Sequence, residues 1–220
     1  QLGAFLPPHD CSGLSLSADG TELLVASTQG IDRVDVTDPR AVVYRPTLAV
    51  GREFWRVDAN ADFIVGQRQG WYGEIADIEV YRRADVEADA PALAAATFAG
   101  VASLPGQLPV GFALLDGDEI AVEWWRSDGT ETTYTTEIHA LPGTGPALRS
   151  FVHRRVRDDR LALTPVTIAG RGDLLVVPPW RTVLRDDPGQ GTLTPLTARE
   201  QAGFESITPR NATVLSALSG

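Results

Sequence analysis

Three clusters in the sequence set flat aromatic rings beside guanidinium groups. Arg68, Trp71 and Tyr72 form one, Trp124, Trp125 and Arg126 a second, and Trp180 and Arg181 a third; each follows closely on a short run rich in Val, Leu and Ile. Aromatic faces suit sugars and other rings, forked donors suit carboxylates, and Trp, Tyr and Arg are the residues that dominate protein interface hot spots. These eight residues are therefore the candidate ligand- or partner-binding set. The competing reading is structural: the rings fill space between packed elements with Arg stacked over them. Trp55 is assigned to that interior.

Other chemistry finds less support. Asp58-Ala59-Asn60-Ala61-Asp62 matches the first half of a calcium loop, but Phe63 stands where Gly is required and Gln69 where a bidentate Glu is expected, so a hairpin turn is the better reading. His9, His139 and His153 lack zinc-ligand spacing, and Cys11 stands alone. No G-x-S-x-G elbow and no glycine-rich phosphate loop occurs. Asp116, Asp118, Glu119 and Glu123 offer paired carboxylates, yet the first three sit in a turn where solvated acids are ordinary. No catalytic residue, metal site or cofactor is assigned.

Composition narrows the partners. The formal net charge is −10, which disfavours phosphate backbones and anionic membrane surfaces. The Arg-rich stretch from Arg149 to Arg160 includes Asp158 and Asp159 and reads as a solvated mixed-charge face. All 19 basic residues are Arg and Met is absent, which suggests a GC-rich, bacterial source and a processed chain. A lone cysteine makes no internal disulfide, and no apolar run approaches the ~20 residues of a membrane span. The expectation is an extracytoplasmic protein that neither binds nucleic acid nor inserts in a membrane.

The elements that must position the aromatic clusters come from a repeat. Alternating apolar residues, a tight Asp/Asn/Gly turn and an aliphatic run recur five times, at turn-to-turn spacings of about 40 to 56 residues. The clearest copy is Leu14 to Asp38, with a turn at Asp19-Gly20, a strand at Leu23 to Ser27, Gly30, and then Ile31, Val34 and Val36. Later turns fall at Asn60, Asp116-Gly117, Gly170-Arg171-Gly172 and Pro209 to Asn211. Ala84 to Gly100 is Ala-rich and contains Pro91, which permits a short helical turn or a crossing loop but no long helix.

Ser17, Asp19, Gly20, Leu23, Val25, Ala26, Gly30, Val34 and Asp35 give the first copy a pattern that resembles the repeats of YVTN and WD40-like β-propellers. The resemblance implies a four-stranded blade per repeat, with the blades set radially about a channel. The expected fold is thus all-β: a single β-propeller domain over residues 1–220, of about five blades, with repeats near 12–50, 53–100, 110–148, 161–199 and 203–220 plus 1–8. Closure by the N-terminal strand removes the exposed sheet edges. Otherwise the chain is a partial propeller within a larger assembly.

In such a ring the loops after the second strand of each blade gather on one face, so the Trp and Arg clusters converge there. The function expected is non-enzymatic binding of a partner protein or glycan, with a role as subunit of a larger complex. The alternative is a propeller hydrolase or lyase acting on a sugar or lactone. Its chemistry has to come from the innermost strands, near Ser15, Arg56, Leu114, Thr167 and Ser206, and those positions offer no carboxylate cluster.

Overall fold

A computed structural model describes residues 9–17, 19–68, 77–87, 96–98, 107–115, 118–143, 145–157, 169–171, 173–177 and 182–197. These residues build four four-stranded antiparallel sheets, each a meander whose strands follow one another in chain order. Blade 1 comprises β1 (Cys11–Leu16), β2 (Glu22–Ser27), β3 (Gly30–Asp35) and β4 (Val43–Leu48). Blade 2 comprises β5 (Arg56–Ala59), β6 (Phe63–Arg68), β7 (Asp77–Arg82) and β8 (Ala96–Thr97), with the five-residue helix α1 (Arg83–Glu87) after β7. Blade 3 comprises β9 (Leu108–Leu114), β10 (Glu119–Ser127), β11 (Glu131–Ala140) and β12 (Arg149–Arg157). Blade 4 comprises β13 (Ala169–Arg171), β14 (Leu174–Val177), β15 (Thr182–Asp187) and β16 (Thr192–Pro195). The fold is that of a β-propeller chain. Residues 1–8 and the repeat expected at 203–220 lie outside the described residues.

The turns form because short polar side chains complete them. Between β1 and β2, Ser17 Oγ accepts from the amide of Glu22 at 2.8 Å, and Asp19 Oδ1 accepts from the amide of Thr21 at 3.0 Å. Gly20 takes φ 71°, open to glycine at no steric cost. Between β5 and β6, Asn60 Oδ1 accepts from the amides of Asp62 and Phe63. The Asp58–Asp62 segment is thus a hairpin turn, and the helical turn expected after Ala84 begins one residue earlier, at Arg83.

The chain divides into two compact units, residues 1–100 and 101–220. In the first, Leu24, Ala26 and Ile31 of blade 1 pack with Val57, Ile64 and Tyr81 of blade 2, with Leu48, Phe54 and Val86 completing the cluster. Period-two alternation carries this seam, because Leu24 and Ala26 share one face of β2. An ionic tie closes its edge. Glu22 is gripped by Arg33 of its own blade at 2.7 Å and by Arg83 of blade 2 at 2.6 Å, and Arg83 Nε also donates to the Asn60 carbonyl at 2.7 Å.

The second unit repeats this design. Val110, Ala113, Ala121 and Ile138 of blade 3 pack against Leu175, Val177, Leu184 and Leu193 of blade 4. Arg149 of blade 3 meets Asp186 of blade 4 at 2.5 Å and Glu119 at 2.5 Å. Burial works against its charge, but the hydrogen bonds to Glu119 and then Asp186 outweigh it and hold the guanidinium above its ordinary pKa.

Candidate functional site

Arg68 is the last residue of β6, at the end of blade 2. The amide of Trp55, the residue before β5, donates at 2.8 Å to the carbonyl of Gln67, the residue before Arg68. Trp55 is 47% exposed, which corrects its assignment to the interior. Phe54 takes the inward place instead: it is fully buried in the seam with blade 1, and the indole that follows it is left outside. From the sequence alone, two adjacent aromatic residues do not reveal which one faces the core.

Three residues before Trp55 in the chain comes Arg52. Its Nη1 donates to the carboxylate of Glu79 on β7, which Arg68 Nη1 also approaches at 3.5 Å. The Tyr81 hydroxyl donates to the other carboxylate oxygen. Glu79 is buried, whereas the two arginine side chains are 45% and 40% exposed, so one sunken carboxylate anchors two guanidinium groups at the surface. Burial, reinforced by the bond to Glu79, raises the Tyr81 phenol well above its ordinary pKa. The tyrosine therefore stays neutral and keeps donating. Trp71 and Tyr72 belong to the connection from Arg68 to Asp77, outside the described residues.

Trp124, Trp125 and Arg126 do not occupy a loop after the aliphatic run, as the sequence reading placed them; they continue β10. That strand pairs with β11 through Ser127 opposite Thr132, and the reversal comes only at Asp128-Gly129, where Gly129 has φ 88°. The signal was present in the sequence: Ser127-Asp128-Gly129-Thr130 repeats the chemistry of the first turn, Ser17 to Thr21. Trp124 is fully buried, with the His139 ring set edgewise at 6.3 Å. Trp125 points to the opposite face of the sheet and packs against the cluster shared with blade 4. Both indoles thus serve the packing of blade 3. Trp180 and Arg181 lie outside the described residues.

Arg126 instead helps to line a cleft of about 250 Å³ with Gln107, Asp128, Glu131, Thr133, Thr135 and Val152. Register explains the grouping: Arg126 pairs with Thr133, and Thr135 with Val152, so these side chains share one face, which Glu131 joins by the two-residue period. Asp128 is committed to the turn. Its carboxylate accepts from the Thr130 hydroxyl at 2.7 Å and from the amides of Thr130 and Glu131, which lower its pKa to about 2. Being depressed from 3.8, this pKa makes the turn's ionic stabilisation complete above about pH 4 and lost as pH falls through about 2. Replacing Thr130 by Val should move the Asp128 titration, followed by carbon-detected NMR, upward toward the ordinary carboxylate value. An unchanged midpoint would mean the hydroxyl does not hold the charge.

Further polar groupings lie among the described residues. On edge strands β1 and β5, Ser15 Oγ donates to Asp58 Oδ1 at 2.9 Å, close to Arg56, whose pKa burial lowers. Asp32 is held by His9 at 3.0 Å and by the Thr47 hydroxyl at 2.8 Å. Within blade 3, Thr136 Oγ1 donates to Glu123 Oε2 at 2.5 Å and contacts His153 Nε2, all three side chains being buried in the sheet. Among the described residues no three His, Cys, Asp or Glu side chains converge as a metal site. Thr167 and Ser206, two of the five innermost positions considered for catalysis, lie outside the described residues.

Four successive four-stranded meanders define the class: this is a β-propeller protein. No family model matches the sequence, and no curated protein does. Among solved structures, the chain is similar to hydrazine synthase of Kuenenia stuttgartiensis, with 16% identity and a TM-score of 0.50 over 95% of this chain and 58% of that one. It is similar to the Cps50 (Swd1) β-propeller domain of Myceliophteria thermophila, with 13% identity and a TM-score of 0.45 over 80% of this chain and 51% of that one. AztD from Citrobacter koseri, in its apo form, matches with 13% identity and a TM-score of 0.46 over 84% of this chain and 45% of that one. The chain therefore spans roughly half the length of the solved chains it matches. At these identities the likeness speaks to fold alone. No helix among the described residues is long and apolar enough to cross a membrane.

Proposed function

We propose that this chain is a non-enzymatic, extracytoplasmic propeller that binds a partner protein, as part of a larger complex, through the blade 2 rim of Arg52, Trp55 and Arg68. The observation that carries the reading is the pair of partly exposed guanidinium groups tied to one buried carboxylate, with a half-exposed indole on the segment that also bears Arg52. Trp and Arg are the residues most enriched in interface hot spots. Side chains already fixed, as these arginines are by Glu79, lose less freedom on association. The extracytoplasmic placement rests on the sequence reading, and fractionation of tagged protein in its source cells tests it: recovery in the cytosol would remove that part.

For the rim itself, random peptides displayed against the chain should yield binders that lose about tenfold or more in affinity on Trp55→Ala, a typical hot-spot loss. The thermal midpoint should fall little, because the indole is half in water already. Peptides that bind Trp55→Ala and Arg68→Ala as tightly as the unaltered chain would place the contact elsewhere.

A further inference from the structure

We propose that the blade 3 cleft is a subsite for a hydroxyl-rich ligand, a single hexose unit of a glycan. It is independent of the blade 2 rim. Four of the seven lining residues bring polar groups to the cleft. Among the described residues, the side chains of Glu131, Thr133 and Thr135 make no hydrogen bond or ion pair, and Arg126 is engaged only by its attraction to the Asp128 carboxylate; Thr135 is only 7% exposed. A hydroxyl that opens onto the cleft without a protein partner is available to a ligand able to bond to it.

Elimination selects the ligand class. An anion meets Arg126 but also Glu131 and Asp128, so the formal charge of the lining opposes it. A metal ion finds one free carboxylate, because Asp128 is saturated by the Thr130 hydroxyl and two amides. An apolar ligand finds only Val152. A sugar ring satisfies all four groups. Its hydroxyls accept from the Arg126 guanidinium and donate to the Glu131 carboxylate, and they do either with Thr133 and Thr135. At about 250 Å³ the cleft is smaller than the roughly 300–1,000 Å³ of drug-sized pockets, which limits occupancy to one ring.

The test is saturation-transfer NMR on the whole chain with methyl glycosides of glucose, galactose, mannose and N-acetylglucosamine as probes, and glycine as a zwitterionic competitor. At least one glycoside should receive saturation. Arg126→Ala, Glu131→Gln and Thr135→Val should each weaken it about five- to tenfold, a lost hydrogen bond's worth. Glu131→Gln keeps the shape and Trp55→Ala leaves this cleft untouched, so both report without unfolding, and Trp55→Ala should bind the glycoside normally. The proposal fails if no glycoside receives saturation, if binding survives Arg126→Ala and Glu131→Gln unchanged, or if glycine displaces the glycoside and so shows an amino-acid site. None of these results bears on the rim.

Discussion

Glu22→Gln is expected to cost the first unit about 3–5 kcal/mol, the usual penalty for removing one partner of a buried ion pair. Glu22 is nearly inaccessible and binds two guanidinium groups, Arg33 at 2.7 Å and Arg83 at 2.6 Å. Glutamine fills the same volume but supplies no negative charge, so Arg33, itself buried, is left uncompensated. Urea unfolding should show the midpoint fall with the slope unchanged. A comparison sets the scale: Arg45–Asp35 has the same chemistry at 2.8 Å, but with both side chains partly in water. Asp35→Asn should cost far less than Glu22→Gln. Added salt should weaken the exposed pair and leave the Glu22 tie nearly unaffected, because ions screen only charges they can approach. Equal losses at the two sites would mean that burial does not govern the Glu22 tie.

That tie marks where sequence reading reached its limit. The all-β propeller class was legible because each blade advertises itself locally. An Asp-Gly or Asn turn followed by an aliphatic run needs only neighbours in sequence, and Asp19-Gly20 and Asn60 cap the turns where the pattern placed them. Partnership across 61 residues, as between Glu22 and Arg83, has no local signature. The site suffered from the same asymmetry. Arg68 was legible as the end of an aliphatic run, but its companions Arg52 and Glu79 come from a connection and from the next strand. Trp124 and Trp125 were misplaced because the length of β10 is decided by pairing with β11 as far as Ser127–Thr132, which an aliphatic run does not encode. The free hydroxyls of Thr133 and Thr135 were visible only as alternation along β11.

Phe54→Ala should be the other large loss, about 3–5 kcal/mol, as for a fully buried aromatic truncated in a packed core. The reason lies in Gly66. Phe54 fits the seam between the first two blades because β6 carries no side chain there: a Cβ at Gly66 would stand 2.5 Å from Phe54 Cδ1, 2.6 Å from its Cε1 and 2.9 Å from Ile31 Cδ1. Those atoms belong to side chains that are fully buried, so they have nowhere to retreat. Gly66→Ala alone should therefore overpack the seam, at about 1–3 kcal/mol. The two changes must couple, since each alters the same space. In a Gly66→Ala background, Phe54→Leu should cost less than it does alone, because the smaller side chain admits the new methyl group. Strictly additive losses in urea unfolding would separate the two residues energetically. A positive interaction would establish that the ring and the glycine form one unit.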